Sequence, residues 1–247
     1  MEQKPDIYGL IGYPLGHSFS RAFFTEKFAQ EGICAEYRNF EIPEARELLD
    51  VVRSTPRLRG LNCTIPHKQA IIPLLDELSD EAREIGAVNV IKVCPDGRLK
   101  GFNSDIIGFT ESIRPLLKPH HKKALILGTG GASKAIRVGL TQLGLEWKYV
   151  SRSPREGQFT YADVTPEVVR EYEVIVNCSP VGMFPHVDAS PSLPYKALTP
   201  RNLLYDLVYN PEETQFMQQG KAQGAQVKNG LEMLHLQALA SWRFWNE

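Results

Sequence analysis

Two hydrophobic rhythms alternate along the chain. "IYGLIGYP", "AEYRNFEI" and "LRGLNCTI" are short apolar or alternating runs, and each predicts a strand. "SRAFFTEKFAQEG" between the first two repeats at helical spacing through Phe23, Phe24, Lys27 and Phe28, and "PEARELLDVVRS" predicts a second helix. After the third strand, "PHKQAIIPLLDEL" and "SDEAREIGA" read as helical, with Pro66 at the first helical position and Lys68 in the first turn. A cation there opposes the helix dipole, which marks Lys68 for attention. "AVNVIKVCPDGRLKGFN" breaks the rhythm, because two strand-like runs flanking Pro95-Asp96-Gly97 predict a hairpin.

From Asp105 the alternation resumes. "DIIGFTESIRPLL" places Ile106, Phe109, Ile113 and Leu116 or Leu117 on one helical face, and "KPHHKK" is a polar connector. Strands are expected in "ALILGTG", "WKYVSRS", "EVIVNCS" and "LLYDLVY", with a helix over "GASKAIRVGLTQLG". The last segment, "LEMLHLQALASWRFWN", predicts a helix striped by Leu231, Leu234, Ala238, Trp242 and Trp245. Strands alternating with helices argue two α/β units with mostly parallel sheets, meeting near Asp105. A ligand is expected at the carboxyl ends of such strands.

Composition narrows the function classes. The chain has 247 residues, is 43% hydrophobic and 23% charged, and its net charge of −1 gives no basic surface for nucleic acid or anionic membrane. No apolar run is long enough to span a bilayer, and the N-terminus lacks a signal peptide's apolar core, so a cytoplasmic location is expected. Cys34, Cys63, Cys94 and Cys178 are widely spaced and read as reduced, buried small hydrophobes rather than metal ligands or disulfides.

The chemistry starts at "ALILGTGGASKA", where a strand meets a helix through glycines, the context of a dinucleotide fingerprint. Gly128 permits the tight turn and Gly130 a close approach to pyrophosphate, while Ser133 replaces the third glycine with another small residue. An NAD site usually has an acid about 20 residues on, for the ribose hydroxyls. Here Ser151-Arg152-Ser153 stands instead, with Arg155 close behind, and a cation among hydroxyls suits the 2′-phosphate of NADP. Hydride transfer to a ketone requires a proton donor within hydrogen-bond reach, and Lys68, Asp105 and the hydroxyls of "GHSFS" are the candidates.

The motifs "GYPLGHSFS", "NCTIPHK", "GAVN", "GFNSD", "GTGGAS", "YDLVYNP" and "NGLEML" with Gln237 occur in the order found in shikimate dehydrogenases, which the chain resembles essentially end to end. The resemblance implies NADPH-dependent reduction of 3-dehydroshikimate to shikimate, in the pathway to chorismate and the aromatic amino acids. It implies a substrate domain of residues 1–104 plus 230–247, and a Rossmann NADP domain of residues 105–229 between the two parts. By position in the motifs, Ser18 and Ser20 bind the substrate carboxylate, and Thr64, Asn89, Asp105 and Gln237 its ring hydroxyls, with Tyr209 nearby. Gly128, Thr129, Gly130, Gly131 and Ala132 hold the pyrophosphate, Ser151, Arg152 and Ser153 the 2′-phosphate, and Leu207 and Gly230 approach the nicotinamide. Lys68, with Asp105 beside it, is then the acid/base group at a cleft between the domains. The implied partner is a small molecule, for a monomer or a homodimer.

Taken singly, each residue has a plainer reading: Ser18, Ser20 and Asp105 suit helix caps, and Asn89 and Gln237 suit surface turns. Their joint spacing favours the site. Against the family pattern, Arg21 replaces a usual proline, Ser104 a usual threonine, and residues 154–172 leave room for only one short helix. That shortening predicts a less covered adenine side and weaker cofactor binding. Other readings are a dual quinate/shikimate dehydrogenase, a catalytically inactive ligand-binding regulator, and another two-domain reductase of the methylene-folate type.

Overall fold

The computed structural model describes residues 4–16 and 19–247. Two compact units form, one from Met1–Ser104 with Ala238–Glu247, the other from Asp105–Gln237.

The first unit contains β1 (Asp6–Gly12), α1 (Phe19–Gln30), β2 (Ala35–Glu41), α2 (Leu48–Ser54), β3 (Leu58–Cys63), the two-residue β4 (Glu77–Leu78), α3 (Asp80–Ile85), β5 (Val90–Val93) and β6 (Leu99–Phe102). Its six-stranded sheet has the order β2-β1-β3-β5-β6-β4. β1 pairs in parallel with β2 and β3, whereas β5 is antiparallel to both β3 and β6. Period-two alternation sends Ile7 and Ile11 of β1 to one face, with Leu48, Leu61 and Ile91. Tyr8 and Leu10 go to the other, with Phe24, Phe28 and Trp245. The hairpin expected at Pro95-Asp96-Gly97 joins β5 to β6, with Gly97 N–H donating to the Cys94 carbonyl at 2.9 Å.

The second unit contains α4 (Asp105–Ile113), β7 (Lys123–Leu127), α5 (Gly131–Gln142), β8 (Glu146–Val150), α6 (Pro166–Glu171), β9 (Val174–Asn177), β10 (Leu203–Asp206), α7 (Gln215–Lys221), β11 (Gln226–Lys228) and the start of α8 (Leu231–Asn246). Its five strands run in the order β11-β10-β9-β7-β8, parallel throughout. Both faces are covered: Ala124, Ile126, Val174, Val176, Leu203 and Tyr205 pack on one side, and Leu125, Leu127, Ile175 and Leu204 on the other. Two buried faces explain why these strands read as unbroken apolar runs. A dinucleotide fold has a further strand beyond β8. Here that place holds a single bridge between Val150 and Phe159, and the segment carries the short helix α6 preceded by a 3₁₀ turn at Tyr161–Asp163, one turn more than its length suggested.

Several expectations need correction. No helix starts at Pro66: residues 65–71 form successive turns, closed by His67 N–H to the Thr64 carbonyl at 2.9 Å and Ile71 N–H to the His67 carbonyl at 3.0 Å. Pro73 lies too close for a helix beginning at Pro66 to continue, because its ring clashes with the preceding turn and it lacks an N–H. The dipole argument about Lys68 therefore falls. Leu231 is exposed, and the buried stripe of α8 begins at Met233, which packs with Phe109 and Tyr205. The second compact unit runs to Gln237, part-way along α8. A side chain on Gly108 of α4 would meet the Met233 carbonyl at 2.5 Å, so α8 starts in close contact with α4. Of the four cysteines Cys63 is buried, whereas Cys34 is exposed and Cys94 and Cys178 are half-buried. The sequence reading also lacked β4, α7 and β11. Among the described residues no helix is long and apolar enough to cross a membrane, and no cluster of His, Cys, Asp or Glu could hold a metal ion.

Candidate functional site

In the first unit, strand direction gathers the motifs at one edge. Because β5 is antiparallel to β3 and β6, its start lies level with their ends: Asn62 is registered with Val90, and Val90 with Phe102. Thr64 and Lys68 follow β3, Asn89 precedes β5, and Asn103 and Ser104 follow β6. Backbone bonds fix these turns: Thr64 N–H donates to the Ile11 carbonyl at 2.9 Å, Cys63 N–H to the Asn89 carbonyl at 2.8 Å, and Val88 N–H to the Lys68 carbonyl at 2.7 Å. His67 is buried and its Nε2 lies 2.7 Å from the Ile42 carbonyl, which ties the turn bearing Lys68 to the end of β2. Lys68 and Thr64 themselves are half-buried.

Asn89 is buried beside Ser104, with Asn89 Nδ2 donating to Ser104 Oγ at 3.0 Å and Ser104 N–H donating to Asn89 Oδ1 at 2.7 Å. Ser20, in the first turn of α1, hydrogen-bonds the phenol of Tyr37. Ser18 lies outside the described residues.

The second unit assembles its motifs at the carboxyl edge of a parallel sheet. Leu127 is registered with both Val150 and Asn177, and Asp206 with Asn177. The segments after them, at Gly128, Ser151, Cys178 and Leu207, therefore emerge side by side. Gly128 has φ +102°, a conformation glycine tolerates, and its N–H donates to the Val150 carbonyl at 2.9 Å. Gly130 caps α5, and the space around its α-carbon on the side a side chain would take is open, as close approach of a pyrophosphate requires. Thr129 is exposed, Gly131 and Ala132 open α5, and the buried Ser133 hydroxyl donates to the Gly130 carbonyl at 2.7 Å. Arg152 and Ser153 are exposed, and Ser153 N–H donates to Ser151 Oγ at 3.2 Å. Lys148 Nζ closes the shortened loop by donating to the Gly157 carbonyl at 3.0 Å. The donor set and the open backbone fit a dinucleotide bearing a 2′-phosphate.

Gly230 and Leu207 come together: an added β-carbon on Gly230 would lie 2.2 Å from the Leu207 carbonyl oxygen, an approach only glycine allows. Tyr209 is exposed, Asp105 is buried at the first residue of α4, and Gln237 is half-buried on α8.

Sequence reasoning missed Asp206, which organises this edge. Its buried carboxylate accepts from Thr214 Oγ1 at 2.6 Å, Asn177 Nδ2 at 2.9 Å and Val208 N–H at 3.0 Å. Asn177 Oδ1 in turn accepts from Ser179 N–H at 3.1 Å and Ser179 Oγ at 2.7 Å. Burial pushes the Asp206 carboxyl up to about 6, against the opposing pull of those three hydrogen bonds. An acid ending an apolar strand was the available signal.

Comparison with known proteins gives concordant results. The family profile described as shikimate dehydrogenase substrate binding domain matches residues 10–91. A shikimate dehydrogenase (NADP(+)) of Desulforamulus reducens is 35% identical over 263 residues, covering 98% of this chain and 90% of that protein. The crystal structure of shikimate 5-dehydrogenase from Thermus thermophilus, in complex with NADP(H) and shikimate, superposes with a TM-score of 0.85 at 34% identity, covering 97% of this chain and 93% of that one. Quinate dehydrogenase from Corynebacterium glutamicum in complex with NAD superposes with a TM-score of 0.87 at 25% identity, covering 98% and 93%.

Proposed function

The chain belongs to the shikimate dehydrogenase family, and from that premise we propose that it catalyses the reversible NADPH-dependent reduction of 3-dehydroshikimate to shikimate. The observation that supports this best is the gathering of Thr64, Lys68, Asn89 and Ser104 at one edge of the first sheet. The second sheet's carboxyl edge likewise offers a glycine turn with an arginine and hydroxyls.

Residues 1–104 with the last helix are the substrate domain and the intervening segment the NADP domain. NADPH, when bound, supplies the hydride. Lys68 as an ammonium donates a proton to the ketone oxygen as charge develops there, and as a neutral amine it takes that proton back in the oxidation of shikimate. Asp105 orients the substrate and Lys68. Ser18 and Ser20 bind the carboxylate, while Thr64, Asn89 and Gln237 bind ring hydroxyls, with Tyr209 near them. Gly128–Ala132 offer backbone N–H groups to the pyrophosphate at the start of α5. Arg152, flanked by Ser151 and Ser153, pairs with the 2′-phosphate, and Leu207 and Gly230 flank the nicotinamide. The enzyme acts as a monomer or homodimer in the cytoplasm.

An absorbance assay of the reduced nicotinamide, run with shikimate and quinate against NADP⁺ and NAD⁺, tests the reading. Shikimate with NADP⁺ is expected to be the fastest pair, and Lys68→Ala to lower kcat by roughly 10²–10⁴ with shikimate binding retained. Full activity of Lys68→Ala removes the acid/base role, and faster turnover of quinate moves the chain to the quinate enzymes. The shortened loop predicts NADP⁺ binding weaker than micromolar, to be measured by titration.

A further inference from the structure

A polar group on the apolar face of a helix must find partners or cost stability. Ser241 is such a group: it is fully buried on α8, between Ala238 and Trp245, where alanine would complete the stripe. Its partners lead into a buried chain of neutral hydrogen bonds. The Tyr37 phenol, on β2, donates to Asn62 Oδ1 at 2.8 Å. Asn62 Nδ2, on β3, donates to Ser241 Oγ at 3.0 Å. Ser241 Oγ lies 3.2 Å from Ser104 Oγ, which is bonded to Asn89. All five residues are buried, so water does not replace a broken link.

Directionality follows from donor counting. Burial raises the Tyr37 phenol far above its ordinary value, so it stays protonated, and its one proton goes to Asn62. Asn62 must then turn its oxygen to Tyr37 and its N–H₂ to Ser241. Ser241 Oγ accepts from Asn62 and lies 3.2 Å from Ser104 Oγ, where either hydroxyl can donate. The Tyr37 phenol, which Ser20 also hydrogen-bonds, thereby sets the orientation of an amide at the carboxyl edge of β3, two residues before Thr64. Through the two serines it also sets the side-chain pairing of Asn89.

We infer that Tyr37 and Ser241 are positioning residues of the substrate site, holding Asn62, Ser104 and Asn89 in one hydrogen-bonding arrangement. The inference rests on the reading of this edge as the shikimate site. Neither residue is assigned a contact with the reacting atoms.

Tyr37→Phe, Ser241→Ala and the double variant test it, each scored for KM of shikimate, KM of NADP⁺ and kcat, with calorimetric Kd for shikimate. Phenylalanine keeps the shape of Tyr37, and alanine is the better helix former at Ser241, so both variants are expected to fold. Each single variant should raise KM and Kd for shikimate about five- to tenfold. KM for NADP⁺ should stay within about twofold and kcat within about threefold. The double variant should be no worse than the weaker single one, because a chain cut twice is lost only once. Shikimate affinity within about twofold of wild type in both single variants overturns the inference. So does a parallel loss for NADP⁺, or a multiplicative effect in the double variant. A wild type that binds shikimate without turning it over sinks the enzymatic reading instead, and the Kd series still decides the network. Failure of the wild type to bind shikimate overturns both.

Discussion

The carboxyl-edge segments of the first unit are tied together by neutral groups, those of the second by a buried carboxylate. In the first, Tyr37, Asn62, Ser241, Ser104 and Asn89 pass hydrogen bonds from one to the next. In the second, Thr214, Asn177 and Val208 all donate to Asp206. A neutral chain depends little on pH and is only as strong as its weakest link. A carboxylate takes several short, charge-assisted bonds at once, but burying its charge without a cation is costly. The sheets differ in the same sense: the mixed sheet brings an antiparallel strand's start to the site edge, whereas the parallel sheet brings only strand ends.

The largest contrast is expected from deletion at each centre. Asp206→Ala leaves three buried donors unpartnered and should cost about 3–5 kcal/mol in urea unfolding. A loss under about 1 kcal/mol would remove Asp206 from its central place.

The pH dependence should separate the units next. Asp206 has a folded-state value of about 6 against an ordinary 3.8, so between those values the folded state holds the proton more tightly. Its contribution to stability is thus fully present below the ordinary value and lost as pH rises through about 6. Asp206→Asn deletes that dependence. Relative to wild type, the variant should gain stability from pH 4 to pH 7, by up to about 3 kcal/mol, and level off above. A difference in urea midpoint that stays flat over this range would show that the carboxyl is not raised.

Tyr37→Phe should give the smallest effect, about 1–2 kcal/mol for the phenol's bonds with Asn62 and Ser20, and equal at pH 5 and pH 8 because no partner in that chain titrates there. A loss that grows towards either end would place an ionising group in the first network and end the contrast.

How much of this was legible depended on range. β1, α1, β7 and α5 were readable because each signals itself through a period of two or 3.6 residues and a local turn. The glycine turn at Gly128 was equally visible, since its requirement is local. The Pro66–Ile71 segment was misread because its bonds close single turns, from His67 to Thr64 and from Ile71 to His67, while the Lys68 carbonyl accepts from Val88 outside the segment. α7 escaped because its polar "QQGK" masks the buried Phe216 and Met217, although Thr214 was a readable cap. Ser241 gives no local signal of its own within the last helix.

The sequence alone therefore determined the alternation of elements, the hairpin, the glycine turn, the arginine among hydroxyls, and the motif order that marks the family. Each of those but the motif order, which is read along the whole chain, is decided by residues within a few positions of one another. Only the tertiary structure decided which unit holds residues 230–237, what anchors the turn bearing Lys68, and how Asp206 and Ser241 are paired. Apart from Val208, two positions from Asp206, the partners of those groups lie 8 to 179 positions away, and no local pattern encodes a hydrogen bond across such a distance.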